Sequence, residues 1–382
     1  MMNRLIKDKE IAIVGGGPGG LTLARLLQMN GAEVKVYERD ASPVARTQGA
    51  TLDLHEESGL AALQAAGLMD EFRANYRPGA DKVRLVNKMG QIIMEDSANA
   101  TDVRNRPEID RGPLQKILHA SLKPGTVVWD SHFVSMSEQH NTWRLEFKNG
   151  DTAFADIVIA ADGANSKIRP YITDIKPFWM GYTAIEGAVY NSAAACPNMH
   201  RLLDGGKLFA MGDNKTLIVS SKGDGSLVFY PGFKSAENWV DECGINFGDK
   251  AQVLAWFKSE FAAWDSVWHE LFENASIGFI PRPQYCMPLN QMWEALPNLT
   301  IIGDAAHLMP PYAGEGVNMA MLDALELSQC LMSDNFEDLE HAIAAFEKQM
   351  RKRAAEAARQ SLESTKLLHS AEAIEFMSQM IS

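Results

Sequence analysis

A glycine loop set between an apolar run and a leucine-rich stretch constrains this chain more than any other feature. Residues 11–14 read Ile-Ala-Ile-Val, an uninterrupted apolar run of the kind that makes a buried parallel strand. Gly15-Gly16-Gly17-Pro18-Gly19-Gly20 follows and matches G-x-G-x-x-G. Residues 21–28 carry leucines at helical spacing, Asn30-Gly31 stops that helix, and 34–37 read as a second strand ending on Glu38. In such a unit Gly15 permits the tight turn, Gly17 lets a pyrophosphate approach the backbone, and Gly20 lets helix and strand pack closely. The helix N-terminus offers free N–H groups and a partial positive charge to phosphates. Glu38 is placed to accept the hydroxyls of an adenosine ribose, which suits FAD or NAD and disfavours NADP at this site. Strand, helix, strand and acid at these distances predict dinucleotide binding rather than an ordinary glycine-rich turn.

Two later segments repeat the design of a strand running into an acid. Residues 156–169 pass from Ile-Val-Ile-Ala-Ala into Asp162-Gly163 and a polar helix start. Residues 299–307 pass from Leu-Thr-Ile-Ile into Gly303-Asp304 and His307. Pro310-Pro311-Tyr312-Ala313-Gly314-Glu315-Gly316-Val317-Asn318 then opens a helix expected over 317–331. Asp304 can accept a ribityl hydroxyl, and the N–H groups around 314–318 can stabilise negative charge on a reduced flavin ring. His307 beside Asp304 has two readings, a general base or a histidine that holds the turn by hydrogen bonds.

The set of glycine loop with Glu38, Asp162-Gly163 and Gly303-Asp304 resembles the class A flavoprotein monooxygenases of the para-hydroxybenzoate hydroxylase fold. Within them, Tyr37-Glu38-Arg39-Asp40, Thr51-Leu52-Asp53-Leu54-His55, Pro107-Glu108-Ile109-Asp110-Arg111 and the run from Gly303 to Pro311 are similar to the tetracycline-degrading flavin monooxygenases of the Tet(X) type. So is Phe346-Glu347-Lys348-Gln349-Met350. The similarity is dense in the first and last motifs and thin in the middle third.

The resemblance implies bound FAD, NADPH or NADH as reductant, and O2 activated as a C4a-hydroperoxide that hydroxylates a polycyclic, phenolic or enolic small molecule. Tetracycline-type antibiotics are among the candidates, with antibiotic inactivation as the result. It implies no catalytic side chain, because the flavin carries the reagent, and no metal. It carries over Arg46 beside the flavin and the nicotinamide side, Asp53 at the flavin, and Arg111 at the ribityl-phosphate region, with Asp304. Read from the residues alone, Arg46, Asp53 and Arg111 equally suit surface ion pairs, although Arg has the donor fork that phosphates favour. The expected cofactor set is completed by Gly15, Gly17, Gly20, Glu38 and Arg39 at one end, and by Pro311, Gly314, Gly316, Val317 and Asn318 at the other. The expected substrate contacts are Glu186, Lys207, Met211 and Val228. Three of these depart from the Tet(X)-type pattern: Glu186 stands for Gln, Lys207 for Arg and Val228 for His. Together they predict weak acceptance of tetracyclines. Glu315 stands for Gln beside the flavin, where a carboxylate turned to the ring would lower the reduction potential and one turned to solvent would not.

The expected fold class is α/β: a Rossmann-type FAD-binding domain with an inserted antiparallel-sheet substrate domain and a C-terminal helix. The boundaries read 1–177 and 276–345 for the FAD-binding domain, 178–275 for the insert and 346–382 for a bridging helix. Within the first part, 82–86 and 91–94 read as a hairpin and 111–122 as a helix with Pro113 in its first turn. The insert shows strands at 182–190, 207–211, 216–220 and 226–233, then helices at 252–261 and 266–272. Its aromatic and methionine residues fit plain core as well as a pocket wall. The tail from 336 to 381 reads as two long helices, the last spanning both domains or lying solvated on one.

A net charge of −13 argues against nucleic acid or an anionic membrane surface as partner. No stretch approaches the ~20 apolar residues of a membrane span, and nothing at the start reads as a signal peptide. The four cysteines show no CxxC or zinc spacing and read as free thiols of a cytoplasmic protein. A monomer is expected, whose partners are a small-molecule substrate and O2. Two other functions remain: a flavin-dependent dehydrogenase or reductase without oxygen transfer, and a flavoprotein that only sequesters a ligand.

Overall fold

The computed structural model describes residues 4–43, 49, 51–96 and 106–381. Its first core is a parallel five-stranded sheet. Strand Glu10–Val14 lies between Glu33–Tyr37 and Ile157–Ala160, with Leu299–Ile301 beyond the latter and Val127–Val128 beyond the former. These are the short apolar runs of the sequence, and burial on both faces is what parallel strands require. Helix Pro18–Met29 follows the glycine loop and buries Leu21, Leu23, Ala24 and Leu27. Helix Glu315–Leu331 packs on it so closely that a Cβ at Gly19 would stand 2.8 Å from the Ala320 carbonyl oxygen. Three antiparallel strands, Phe133–Gln139, Thr142–Phe147 and Thr152–Ala155, form a small side sheet. Thr51–Asp53 pairs with Glu108–Asp110 as a separate two-stranded ribbon.

The second core is built on a seven-stranded sheet. In order its strands are Ile280–Cys286, Phe178–Val189, Leu227–Lys234, Lys215–Ser221, Lys207–Gly212, Val83–Asn87 and Ile92–Glu95. All neighbours are antiparallel except Lys207–Gly212 with Val83–Asn87, whose register sets Lys207 beside Val83. The sheet is thus wider than residues 178–275, because the early hairpin and a late strand complete its two sides. One face carries the aromatic core of Phe229, Phe257, Trp268 and Phe272 under helices Lys250–Glu260 and His269–Glu273. The other face looks toward the glycine loop.

Helices Ser192–Ala195, Pro197–Leu203 and Trp239–Glu242 were not expected. Each is a short connection of four to seven residues, too short to show a helical periodicity in sequence. The tail is one helix of 30 residues, Leu339–Leu368, and one of nine, Ala373–Ile381, rather than two long ones. No Gly or Pro marks the break. The chain turns there so that Leu368, Ala373 and Met377 cover Leu85 and Met211. The long helix buries Ile343, Phe346 and Met350 in the first core. Further along it buries Ala357 and Ala358 against Cys286 and Met309. Among the described residues no helix is long and apolar enough to cross a membrane.

Candidate active site

One cleft of about 1840 Å³ runs from the glycine loop to the open face of the seven-stranded sheet. A drug-sized ligand needs roughly 300–1,000 Å³, so this cleft has room for a dinucleotide and a second molecule.

At one end the chain reverses tightly after the first strand. Gly15 has φ +114°, and a Cβ there would lie 2.1 Å from the Ala161 carbonyl oxygen, so only glycine fits. Gly20 has the same constraint from the Gly15 carbonyl oxygen, at 2.1 Å. Gly17 differs: a Cβ there would meet nothing within 4 Å. Its φ of −74° suits any residue, so what it offers is an open approach to the helix N-terminus. Glu38 lines this end, nearly buried. Its carboxylate accepts from Gly16 N at 2.6 Å and from Asp40 N at 2.9 Å. These bonds orient it and leave lone pairs for further hydroxyls. Arg39 also lines the cleft.

The two acid turns meet midway. Arg169 is buried and ties them together: Nε donates to the Ala305 carbonyl at 2.6 Å, and Nη2 donates to the carbonyls of Ala164 and Asp304 at 3.1 and 3.2 Å. Asp162, Asp304 and Arg111 face the cleft. Burial pushes the Asp304 pKa up, against the pull of His307, Arg111 and Arg169. His307 is not a base for the cleft. It is buried, does not line it, and its Nε2 lies 2.6 Å from Asp323 Oδ2. Burial opposes its charge, but Asp323 outweighs burial and raises its pKa. The turn-holding reading is the one the geometry supports.

Pro311, Gly314, Gly316 and Val317 line the cleft at the start of helix Glu315–Leu331. Asn318 does not. It is fully buried, and its amide nitrogen donates to the carbonyls of Asp53 at 2.8 Å and Gly314 at 3.1 Å. Its amide oxygen accepts from His55 N at 2.9 Å. The Asn318 side chain therefore positions the loop of Asp53 against the helix. Asp53 lines the cleft, and burial works against its ionisation, but the His55 hydrogen bond and the Lys207 charge hold its pKa below the ordinary carboxylate value. Glu315 is turned inward, its side chain 14 % exposed and 3.6 Å from His55. Arg46 lies outside the described residues.

On the sheet wall, Glu186, Lys207, Phe209, Ile218 and Tyr230 face the cleft. Glu186 is not a free charge: Arg282 donates to its Oε2 through Nε at 3.0 Å and Nη2 at 2.8 Å. Lys207 is paired with buried Glu108 in a short contact. Any repulsion between the Glu186 carboxylate and an anionic group in the cleft is therefore offset by Arg282. Met211 is corrected. It shares the phase of Lys207 and Phe209, but the last helix covers it and it packs on Leu85 and Met377. Val228 is corrected as well. It is buried opposite Ala188 and Ser220, and Ser220 lines the cleft at that level. Arg282 and Glu108 were missed because nothing local marks them; they matter through partners 96 and 99 residues away.

The residues present fit FAD. The open Gly17 loop at a helix N-terminus suits a pyrophosphate, Glu38 suits a ribose, and Asp304 with Arg111 suits a ribityl phosphate. The family profile described as "FAD binding domain" matches residues 8–181 and 296–361. The monooxygenase asqM of Emericella nidulans is 28 % identical over 375 residues, covering 84 % of this chain and 83 % of that protein. A 6-hydroxynicotinate 3-monooxygenase of Bordetella bronchiseptica is 25 % identical, covering 93 % and 91 %. The crystal structure of the tetracycline destructase Tet(51) shares the fold, with a TM-score of 0.74, 18 % identity and 99 % of this chain covered against 95 % of that one.

Proposed function

The chain belongs to the FAD binding domain family, and from that premise we propose that it is an FAD-dependent monooxygenase of the aromatic hydroxylase type. In this proposal NADPH or NADH is the reductant, and a polycyclic, phenolic or enolic small molecule is hydroxylated in the cytosol by a monomer. The observation that carries the reading is one continuous cleft, which joins a dinucleotide loop, two acid turns and a mixed polar and apolar sheet wall. The relatives' names support the reaction class, since two similar proteins are called monooxygenases.

When bound, FAD supplies the transfer of electrons from the nicotinamide to O2. The chain's own residues supply the rest. The Gly17 loop and the N-terminus of helix Pro18–Met29 hold the pyrophosphate, with Glu38 on the ribose. Asp304 and Arg111 hold the ribityl-phosphate stretch. The N-terminus of helix Glu315–Leu331 lines the cleft and would favour negative charge on the ring. Phe209, Ile218 and Tyr230 keep the reacting region apolar, so that water is excluded and the substrate carbon is held near the ring. Glu186 with Arg282, and Lys207 with Glu108, present paired donors and acceptors that orient polar groups of the substrate. Lys207 gives a point charge rather than a planar fork. With Glu186 already bonded to Arg282, this supports tetracyclines as poor substrates.

The test is a panel of phenols, enols and tetracyclines, scored by ligand-stimulated NAD(P)H oxidation and mass-spectrometric detection of a product carrying one oxygen from labelled O2. A labelled product is the expected result. Turnover without label would establish a dehydrogenase or reductase, and no stimulated turnover a ligand-sequestering protein. Coupled tetracycline turnover with high kcat/KM would overturn the poor-substrate assignment.

A further inference from the structure

The end of the chain closes one side of the cleft with apolar side chains, and a buried histidine fixes them there. His369 sits in the turn between the last two helices. Its Nδ1–H donates to the Thr365 carbonyl at 2.9 Å, and its Nε2 lies 3.5 Å from the Tyr312 hydroxyl. Its ring centre is 4.5 Å from that of Tyr182. A Cβ at Gly232 would meet Thr216 Oγ1 at 2.5 Å, the Tyr312 hydroxyl at 2.9 Å and His369 Nε2 at 3.0 Å. The turn is therefore seated on the sheet with no room to shift toward it. Helix Ala373–Ile381 leaves this turn with two apolar faces. Ala373 and Met377 are one helical turn apart and buried on Leu85 and Met211. Phe376 and Met380, also one turn apart, line the cleft. The half-buried rings of Phe376, Phe209 and Tyr312 pack on the same small cluster, and all three line the cleft. Met380 is 67 % exposed. The core uses only the first face of the helix, and the second turns apolar surface to the cleft.

We propose that Phe209, Tyr312, Phe376 and Met380 form a subsite for an apolar arm, an aryl or alkyl substituent of the substrate. The proposal rests on the function proposed above and narrows its substrate to an amphiphile: a polar ring that carries such an arm. The sheet wall supports this by changing character along its strands. Lys207 stands opposite Ser220, Phe209 opposite Ile218, and Met211 opposite Thr216. Lys207 is paired with Glu108 at one end of this series, and Met211 lies under the last helix at the other. Residues two apart on a strand share a face and lie roughly 7 Å from each other. One molecule of modest length thus spans from the charged pair to the apolar corner. The pairs Lys207–Glu108 and Glu186–Arg282 are neutralised within the chain, so they suit hydroxyl and carbonyl groups rather than a net charge. Affinity then falls to the arm, whose burial removes apolar area from water. The Tyr312 hydroxyl is turned to His369 and Thr216, and its ring is what it offers the cleft. Met380 is unbranched and flexible, which lets it follow the shape of an arm.

The test uses the FAD-loaded protein and a series of phenols: phenol, para-ethylphenol, para-butylphenol and para-phenylphenol. Dissociation constants are read from perturbation of the flavin spectrum in the wild type, Phe376→Ala, Met380→Ser and Met292→Ser. Met292 is 81 % exposed and does not line the cleft, so its variant is the control. In the wild type each methylene of the arm should tighten binding about fourfold, the equivalent of its transfer free energy. Met380→Ser should cut the ratio between para-butylphenol and phenol severalfold, and Phe376→Ala should cut it further. Met292→Ser should keep the wild-type ratio. Because Met380 is exposed, its variant keeps the fold and carries the test even where Phe376→Ala does not. A flat series in the wild type, no binding by any member, or an equally steep series in Met380→Ser would overturn the subsite. A flat series with oxygen-labelled product from the phenols would leave the proposed function standing. Arms that bind through Met380 and Phe376 but give neither NAD(P)H oxidation nor labelled product would overturn the function and keep the subsite.

Discussion

At Gly17 the backbone could accept a side chain and the fold would not notice. The φ is ordinary and a Cβ touches nothing, so glycine there answers to a ligand rather than to the chain. Gly17→Val should leave the thermal midpoint of the apoprotein within a degree or two. It should also abolish FAD retention on gel filtration, because the isopropyl group enters the space of the pyrophosphate. Full flavin loading of a folded Gly17→Val protein would refute that placement. Asp304 is the opposite kind of residue, an acid kept in the cleft against burial. Its replacement by Ala removes an uphill charge from the apoprotein and a charge-assisted acceptor from the cofactor. A charged hydrogen bond contributes about 1.5–3 kcal/mol. Asp304→Ala should therefore weaken FAD binding roughly 10- to 150-fold while changing apoprotein stability less, as fluorescence titration and thermal scans would show.

At the scale of elements, helix Glu315–Leu331 does more than present its N-terminus. Two turns in, fully buried Asp323 bonds Gly303 N at 2.8 Å, His307 Nε2 at 2.6 Å and Arg353 Nη2 at 2.6 Å. One carboxylate thereby fixes the second acid turn and joins it to the long C-terminal helix. Burial opposes its ionisation, yet His307 and Arg353 prevail and lower its pKa. Asp323→Asn takes the carboxylate from buried His307 and from half-buried Arg353, which keeps Glu326; removing one partner of a buried pair costs about 3–5 kcal/mol. The pH signature has two sides. A depressed Asp pKa contributes stability above its ordinary value of 3.8 and loses it as pH falls through the folded value. A raised His307 pKa contributes fully below 6.5 and loses its share as pH rises through the folded value. The gap in thermal midpoint between wild type and Asp323→Asn should be widest between those limits and narrow on both sides. A gap independent of pH would show that ionisation of the pair contributes nothing.

For the whole molecule, the long helix Leu339–Leu368 couples the two cores, and its anchor in the first is Glu347. This residue is 1 % exposed, accepts from Trp293 Nε1 and Thr300 Oγ1 at 2.8 Å each, and lies 3.5 Å from Arg351. Burial pushes its pKa up to about 7, with those partners opposing. An acid raised in the folded state binds its proton more tightly there than in the unfolded chain. Stability therefore falls as pH rises from about 4.5 to about 7 and is flat above. The excursion is roughly 3 kcal/mol at ~1.4 kcal/mol per unit. Glu347→Gln should remove this slope, so the wild type should lose thermal midpoint relative to the variant between pH 5 and 7. Parallel curves would show that the carboxylate titrates elsewhere.

Short-range pattern determined a great deal of this protein. The apolar runs at 11–14, 157–160 and 299–301, each ending in a glycine or acid turn, are written in consecutive residues, because a buried parallel strand and its ligand turn are local in chemistry. Glu38, Asp53, Arg111, Asp304 and the glycines all reach the one cleft for that reason. The alternation along the middle strands likewise set which faces are apolar. What no local pattern carries is the cover on a given position and the partner of a given charge. Lys207, Phe209 and Met211 share one strand face, yet the last helix buries Met211 fully and leaves Phe209 half-buried at the cleft. Asn318 sits in a ligand motif but spends its amide on two distant backbone groups and one a single turn away. Glu186 meets Arg282 on the neighbouring strand, Lys207 meets Glu108 on the separate ribbon, and His55 meets Glu315 at the start of helix Glu315–Leu331. Strand phase follows from a period of two residues. Which surface arrives to bury or neutralise that phase depends on how whole elements pack, and only the tertiary structure decided it.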